Sequence, residues 1–117
     1  MEMLPEVDQS AFSADLQHFY QFLQSEKQFS PHTVKSYQRD IKRFMMFCDD
    51  QSVANWDAID EQHIRQLVSK VHRPGLGGNI IQRFLSALRR LFRFLQTNQR
   101  IRNNPAAHVR APKSEHK

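Results

Sequence analysis

The sequence has a single cysteine, very little glycine and no long apolar run. Cys48 cannot form a disulfide within the 117-residue chain, which fits a reducing compartment such as the cytoplasm. Only three glycines occur and β-branched residues are few, which disfavours an all-β fold. No run of about 18 apolar residues exists to cross a membrane. The acidic, polar start lacks the basic and apolar parts of a secretion signal. These absences predict a cytoplasmic, all-α domain.

Acidic residues are scarce in the second half of the chain. Residues 1–60 contain five Lys or Arg against ten Asp or Glu, whereas residues 61–117 contain twelve against two. The net charge of +5 is therefore the sum of an acidic first half and a strongly basic second half. Such asymmetry favours a polyanionic partner, although an unevenly charged surface with no such partner remains an alternative at this point.

Apolar residues recur at helical spacing in four segments. Ser30 is the predicted N-cap of the second helix, with Pro31 at its first position. One helical turn is expected near Pro105–His108. The length predicts one helical domain at 12–110, after an N-terminal extension at 1–11 and before an extended, mobile linker at 111–117. The predicted helices run from about Phe12 to Leu23, from Pro31 to Asp50, from Asp60 to Val71 and from Asn79 to Gln96.

The fourth predicted helix carries an uninterrupted polar arc behind its apolar face. At about 100° per residue, seven polar side chains fall on this arc and none is acidic. Arginine can bind phosphates and guanine edges through two parallel hydrogen bonds, and Asn and Gln can read base edges. A helix that merely faces solvent usually mixes Glu with Arg, so we favour DNA contact here. The candidates are Asn79, Gln82, Arg83, Ser86, Arg89, Arg90 and Arg93.

The N-terminal end of the second predicted helix is another candidate DNA contact. Free N–H groups and the helix dipole favour anions at such an end. Ordinary capping explains Ser30 and Thr33 equally well, so both interpretations stay open. The candidates here are Ser30, His32, Thr33, Lys35, Ser36, Arg39 and Arg43.

No metal, cofactor or catalytic site is predicted. The six histidines show no paired helical spacing, and Cys48 has no partner cysteine. Gly75–Gly78 precedes a helix but follows no strand, unlike a phosphate-binding loop. Cys48 is predicted to be a buried, inert thiol, and Trp56 a core or loop anchor.

Four segments in order resemble the N-terminal domain of Xer-type tyrosine recombinases, over about residues 12–113. Each segment alone resembles the family only modestly, but the order and separation of all four are specific to it. They are SPHTVKSYQRDI at 30–41 followed by Phe44 and Phe47, LSALRRLFRFL at 85–95, NPA at 104–106 with VRAPK at 109–113, and the Gly75-Leu76-Gly77 sequence, which is similar to the XerC branch.

The resemblance implies a SAM-like core-binding domain, an orthogonal bundle of four to five helices that forms half of a clamp around duplex DNA. The second and fourth helices would cross at the major groove of the recombination site. Lys113, in the segment similar to the family's linker, joins the expected DNA contacts. The implied function is site-specific recombination that resolves chromosome dimers, with a XerD-like sister subunit and an FtsK-type translocase as partners.

The family's catalytic residues are not found in these 117 residues. The family uses a Tyr nucleophile near its C-terminus with Arg, Lys and a His-x-x-Arg pair, and no His-x-x-Arg occurs here. Tyr20 and Tyr37 lie in the wrong place for the nucleophile. We therefore expect a truncated, non-catalytic part of a recombinase. Two alternatives stay open: the core-binding domain of a phage- or integron-type integrase, and a helical protein-interaction module with a basic face, in which Phe12, Leu16 and Phe19 would be partly intermolecular.

Overall fold

The computed structural model describes residues 9–72 and 78–110, with side chains described at 12–71 and 80–110. No strand occurs in these ranges, and the predicted all-α class is confirmed. The predicted linker after Ala111, the Gly75-Leu76-Gly77 sequence and Lys113 lie outside the described residues. The helices are α1 (Gln9–Ser25), α2 (Pro31–Asp50), α3 (Glu61–His72) and α4 (Gly78–Thr97), with a short 3-10 helix at Trp56–Ala58.

The chain divides into two compact units, Met1–Ile59 and Asp60–Lys117. In the first unit, α1 and α2 contact each other. The helix α1 begins at Gln9, earlier than the predicted start near Phe12. Met45, which lies between buried residues of α2, is only half-buried. The buried apolar side chains of the two helices are Phe12, Phe19, Leu23, Val34, Tyr37, Ile41, Phe44, Phe47 and Cys48.

Trp56 attaches the segment after α2 to α1. Its indole Nε1 donates a hydrogen bond of 2.8 Å to Oδ2 of Asp15. Its ring meets the ring of Phe12 edge-on, with centroids 4.6 Å apart. Trp56 and Asp15 are 6% and 7% exposed, so the hydrogen bond is shielded from water. The prediction that Trp56 is an anchor is confirmed, whereas nothing in the sequence indicated that Asp15 would be buried.

In the second unit, α3 and α4 contact each other. Asp60 caps α3, because its Oδ1 accepts from the backbone N–H of His63 at 3.1 Å. His63 Nδ1 accepts in return from the backbone N–H of Asp60, also at 3.1 Å. Both helices bury the apolar face that their spacing predicts. The buried residues are Ile64, Leu67, Val68 and Val71 of α3 and Ile81, Phe84, Leu85, Ala87, Leu88, Leu91, Phe92 and Leu95 of α4.

The segment after α4 is part of the core of the second unit. Hydrogen-bonded turns take the place of the helical turn predicted at Pro105–His108, with Ala107 N–H donating to the Asn104 carbonyl at 3.2 Å and Val109 N–H to the Ala106 carbonyl at 3.3 Å. Ile101, Ala106 and Val109 are buried. The segment from 101 to 109 is therefore packed in place.

Candidate nucleic-acid interface

The start of α2 is capped as its sequence predicts. Ser30 has an extended backbone, and its Oγ accepts from the backbone N–H of Thr33 at 3.1 Å. The two hydroxyl oxygens of Ser30 and Thr33 are 3.0 Å apart. Pro31 occupies the first turn, which holds no acidic residue, and His32 is exposed. The capping role of Ser30 is thereby established, while its contact with an anion stays a prediction.

The outer side of α2 presents four exposed cations. At about 100° per residue they fall within roughly 100° of arc, so they face the same way. Arg39 Nη2 donates to Oγ of Ser36 at 3.3 Å. Lys42 was not among the predicted DNA contacts, yet its exposure places it in this group. We call the group the α2 basic face: Lys35, Arg39, Lys42 and Arg43.

The outer side of α4 presents a second exposed polar group. Its members are spread over about 16 Å of helix at 1.5 Å per residue, close to the length of about five base-pair steps. No Asp or Glu occurs anywhere in Gly78–Thr97, so no carboxylate on this helix neutralises the arginines. The side chain of Asn79 is outside the described residues. We call the group the α4 basic face: Gln82, Arg83, Ser86 and Arg93.

Arg89 and Arg90, also predicted as DNA contacts, are half-buried. The guanidinium of Arg89 is directed at the segment after α4. Its Nε donates to the carbonyl of Ala106 at 3.2 Å, and its Nη2 donates to the carbonyl of Val109. The structure therefore separates Arg89 from the exposed side chains of the α4 basic face, although all lie on one polar arc of the helical wheel.

Two groups outside the basic faces have perturbed acidity. Cys48 is buried as predicted, and its burial raises the pKa of the thiol to about 12, while its inertness stays a prediction. Burial likewise raises the pKa of the Tyr20 phenol to about 12. Among the described residues, no group of three or more His, Cys, Asp or Glu side chains could hold a metal ion. None of the helices in the described ranges is long and apolar enough to cross a membrane.

The helical order and the sequence together define a class of protein. Residues 16–99 match the family model described as phage integrase, N-terminal SAM-like domain. The chain belongs to this family and is a recombinase core-binding domain.

The curated relatives narrow this class further. A protein named Tyrosine recombinase XerC from Pseudomonas entomophila (strain L48) is 37% identical over 100 residues, which cover 86% of this chain and 33% of that protein. A protein of the same name from Pseudomonas aeruginosa (strain LESB58) is 36% identical over 104 residues, 89% of this chain and 34% of that protein. The chain thus spans about a third of the length of these relatives. No solved structure was found to match the chain.

Proposed function

We propose that this chain is the DNA-binding core-binding domain of a XerC-type tyrosine recombinase. The observation that carries the proposal is the α4 basic face, where exposed Arg83 and Arg93 accompany Gln82 and Ser86 on a helix without a carboxylate. Arginines of this kind hold phosphates, while short polar side chains beside them reach base edges in a major groove. The family membership and the XerC relatives support the same function.

The α2 basic face is the second contact surface in this proposal. Its four cations are exposed and would neutralise phosphates without reading sequence. The start of α2, with His32 exposed and no acidic residue in the first turn, would add a phosphate contact through the backbone N–H of His32 and the positive end of the helix dipole, since the N–H groups of Thr33 and Val34 already bond to Ser30.

The wider role we propose follows from the XerC relatives. The domain would bind the recombination site in the cytoplasm during the recombination that resolves chromosome dimers. A XerD-like subunit would bind beside it, and an FtsK-type translocase would control the reaction. Strand cleavage is not assigned to residues 1–117, since they contain no His-x-x-Arg.

The proposal is tested by fluorescence anisotropy with a labelled mixed-sequence duplex, titrated at several salt concentrations. Wild-type binding should weaken steeply with salt, because protein cations that neutralise phosphates release counterions. The double variant Arg83→Ala/Arg93→Ala should bind more weakly. The magnitude of its slope of log K against log salt should fall by about 1 for each phosphate that the variant no longer neutralises.

Arg65→Ala is the control for the loss of one positive charge outside both basic faces. Arg65 is an exposed arginine of α3 whose Nη2 lies 3.0 Å from Oε2 of Glu61, so its removal changes the net charge without touching either basic face. Equal affinity of the Arg83→Ala/Arg93→Ala variant and wild type at low salt would show that the α4 basic face does not bind DNA. No binding of duplex by wild type would point to the protein-interaction alternative. Of the three residues in that alternative, Phe12 and Phe19 are buried and Leu16 is half-buried, which argues against their use in such an interface.

A further inference from the structure

Arg89 and the segment after α4 are joined by reciprocal hydrogen bonds. The guanidinium of Arg89 donates to two carbonyls of the segment, those of Ala106 and Val109. In the other direction, Nδ2 of Asn104 donates to the backbone carbonyl of Arg89 at 3.2 Å. Oδ1 of Asn104 accepts from the N–H of Ala106 at 3.0 Å, which shapes the turn that presents those carbonyls.

This arrangement suits the guanidinium group of arginine, which is planar and has five N–H donors. Two carbonyls three residues apart are reached by two different nitrogens of one guanidinium, a geometry that a single ammonium group cannot reproduce. The contact is half-buried, and Ala106 and Val109 are buried beside it. A third link lies nearer the end of α4, where Nε2 of Gln96 donates to the carbonyl of Arg102 at 2.9 Å.

We propose that Arg89 and Asn104 are positioning residues that dock the segment 101–109 against α4. They would thereby fix the path of the chain relative to the α4 basic face. Arg89 is accordingly not a DNA contact, although its position on the helical wheel groups it with Arg93. The functional meaning of that fixed path rests on the proposed DNA-binding role, whereas the docking itself does not.

Amide hydrogen exchange measured by NMR tests the docking. The informative amides are those of Ala107 and Val109, which bond to backbone carbonyls and to neither positioning side chain. Arg89→Met and Asn104→Ala should each raise their exchange rates by about tenfold or more, because each removes hydrogen bonds that hold the segment in place. Amides of α3 provide the internal reference. Unchanged protection of Ala107 and Val109 in both variants would overturn the proposal.

Arg89→Lys separates a positioning role from a charge role. Lysine keeps the positive charge but lacks the fork, so exchange at Ala107 and Val109 should rise as it does in Arg89→Met. Wild-type protection in Arg89→Lys would overturn the proposal. If Arg89→Met does not fold, Arg89→Lys and Asn104→Ala still decide the question.

The salt slope of duplex binding gives a second test, because it changes when a phosphate contact is lost and stays the same when a positioning residue is lost. With the same duplex, Arg89→Met should keep the wild-type salt slope, whereas the charge-matched Arg83→Met should lower its magnitude by about 1. A slope reduced in Arg89→Met as in Arg83→Met would make Arg89 a phosphate contact and overturn the proposal. If wild type binds no duplex, the proposed function fails, while the exchange rates still test the docking.

Discussion

The hydrogen bond between Trp56 and Asp15 should contribute strongly to the stability of the first unit. It joins residues 41 positions apart, at 2.8 Å and away from water. A hydrogen bond to a charged group contributes about 1.5–3 kcal/mol, and an edge-on aromatic pair such as Trp56 with Phe12 about 0.5–1.5 kcal/mol. Trp56→Phe removes the first and weakens the second, so it should lower the free energy of unfolding by about 2–4 kcal/mol.

A double-mutant cycle with Trp56→Phe and Asp15→Ala isolates the pair. Urea unfolding followed by circular dichroism gives the free energies, and the coupling energy should be about 1.5–3 kcal/mol. Asp57→Ala is the control, because Asp57 is exposed next to Trp56 and its removal should cost under about 0.5 kcal/mol. A coupling energy below about 0.5 kcal/mol would refute the reasoning, since the hydrogen bond would then contribute little beyond the side chains' separate packing.

Two further predictions concern the first unit and the end of α4. Ser52 and Gln99 have positive φ after α2 and α4, of 57° and 61°. Ser52→Gly and Gln99→Gly should therefore each raise the free energy of unfolding by about 0.5–1 kcal/mol in urea titrations, whereas Ser13→Gly, at an exposed position inside α1, should lower it. Destabilisation by both loop variants would contradict this prediction. Cys48 should resist alkylation by iodoacetamide at pH 8 until urea unfolds the chain, and rapid labelling of the native protein would contradict this prediction. The free energy of unfolding should fall as the pH rises from 9.0 towards 12, because in that range the thiol ionises only in the unfolded chain.

The helices and their buried faces could be predicted because the determinants are local. The spacing of Phe84, Leu88 and Leu91 fixes the buried side of α4 whatever packs against it. The caps at Ser30 and Asp60 likewise depend on a residue three positions away. These elements follow from sequence because each is specified within a few turns of the chain.

The hydrogen bonds of Asp15 and Arg89 could not be predicted, because their partners are distant in sequence. Asp15 meets a residue 41 positions away, and Arg89 reaches carbonyls 17 and 20 positions away. A helical wheel gives the direction in which such a side chain leaves its helix but not what it meets. Asn104 was missed for a related reason, since a neutral residue in an irregular segment carries no periodic signal.

The difference between the direction of a side chain on the helical wheel and its exposure in the structure changes the size of the candidate DNA surface on α4. The helical wheel predicts seven DNA-binding side chains from Asn79 to Arg93, of which the structure shows four exposed and two half-buried. If only Arg83 and Arg93 meet phosphates on this helix, α4 contributes about −2 to the salt slope, against about −4 for all four arginines. Most of the counterion release would then come from the α2 basic face. α4, with Gln82 and Ser86 beside its arginines, would contribute more to sequence preference than to affinity.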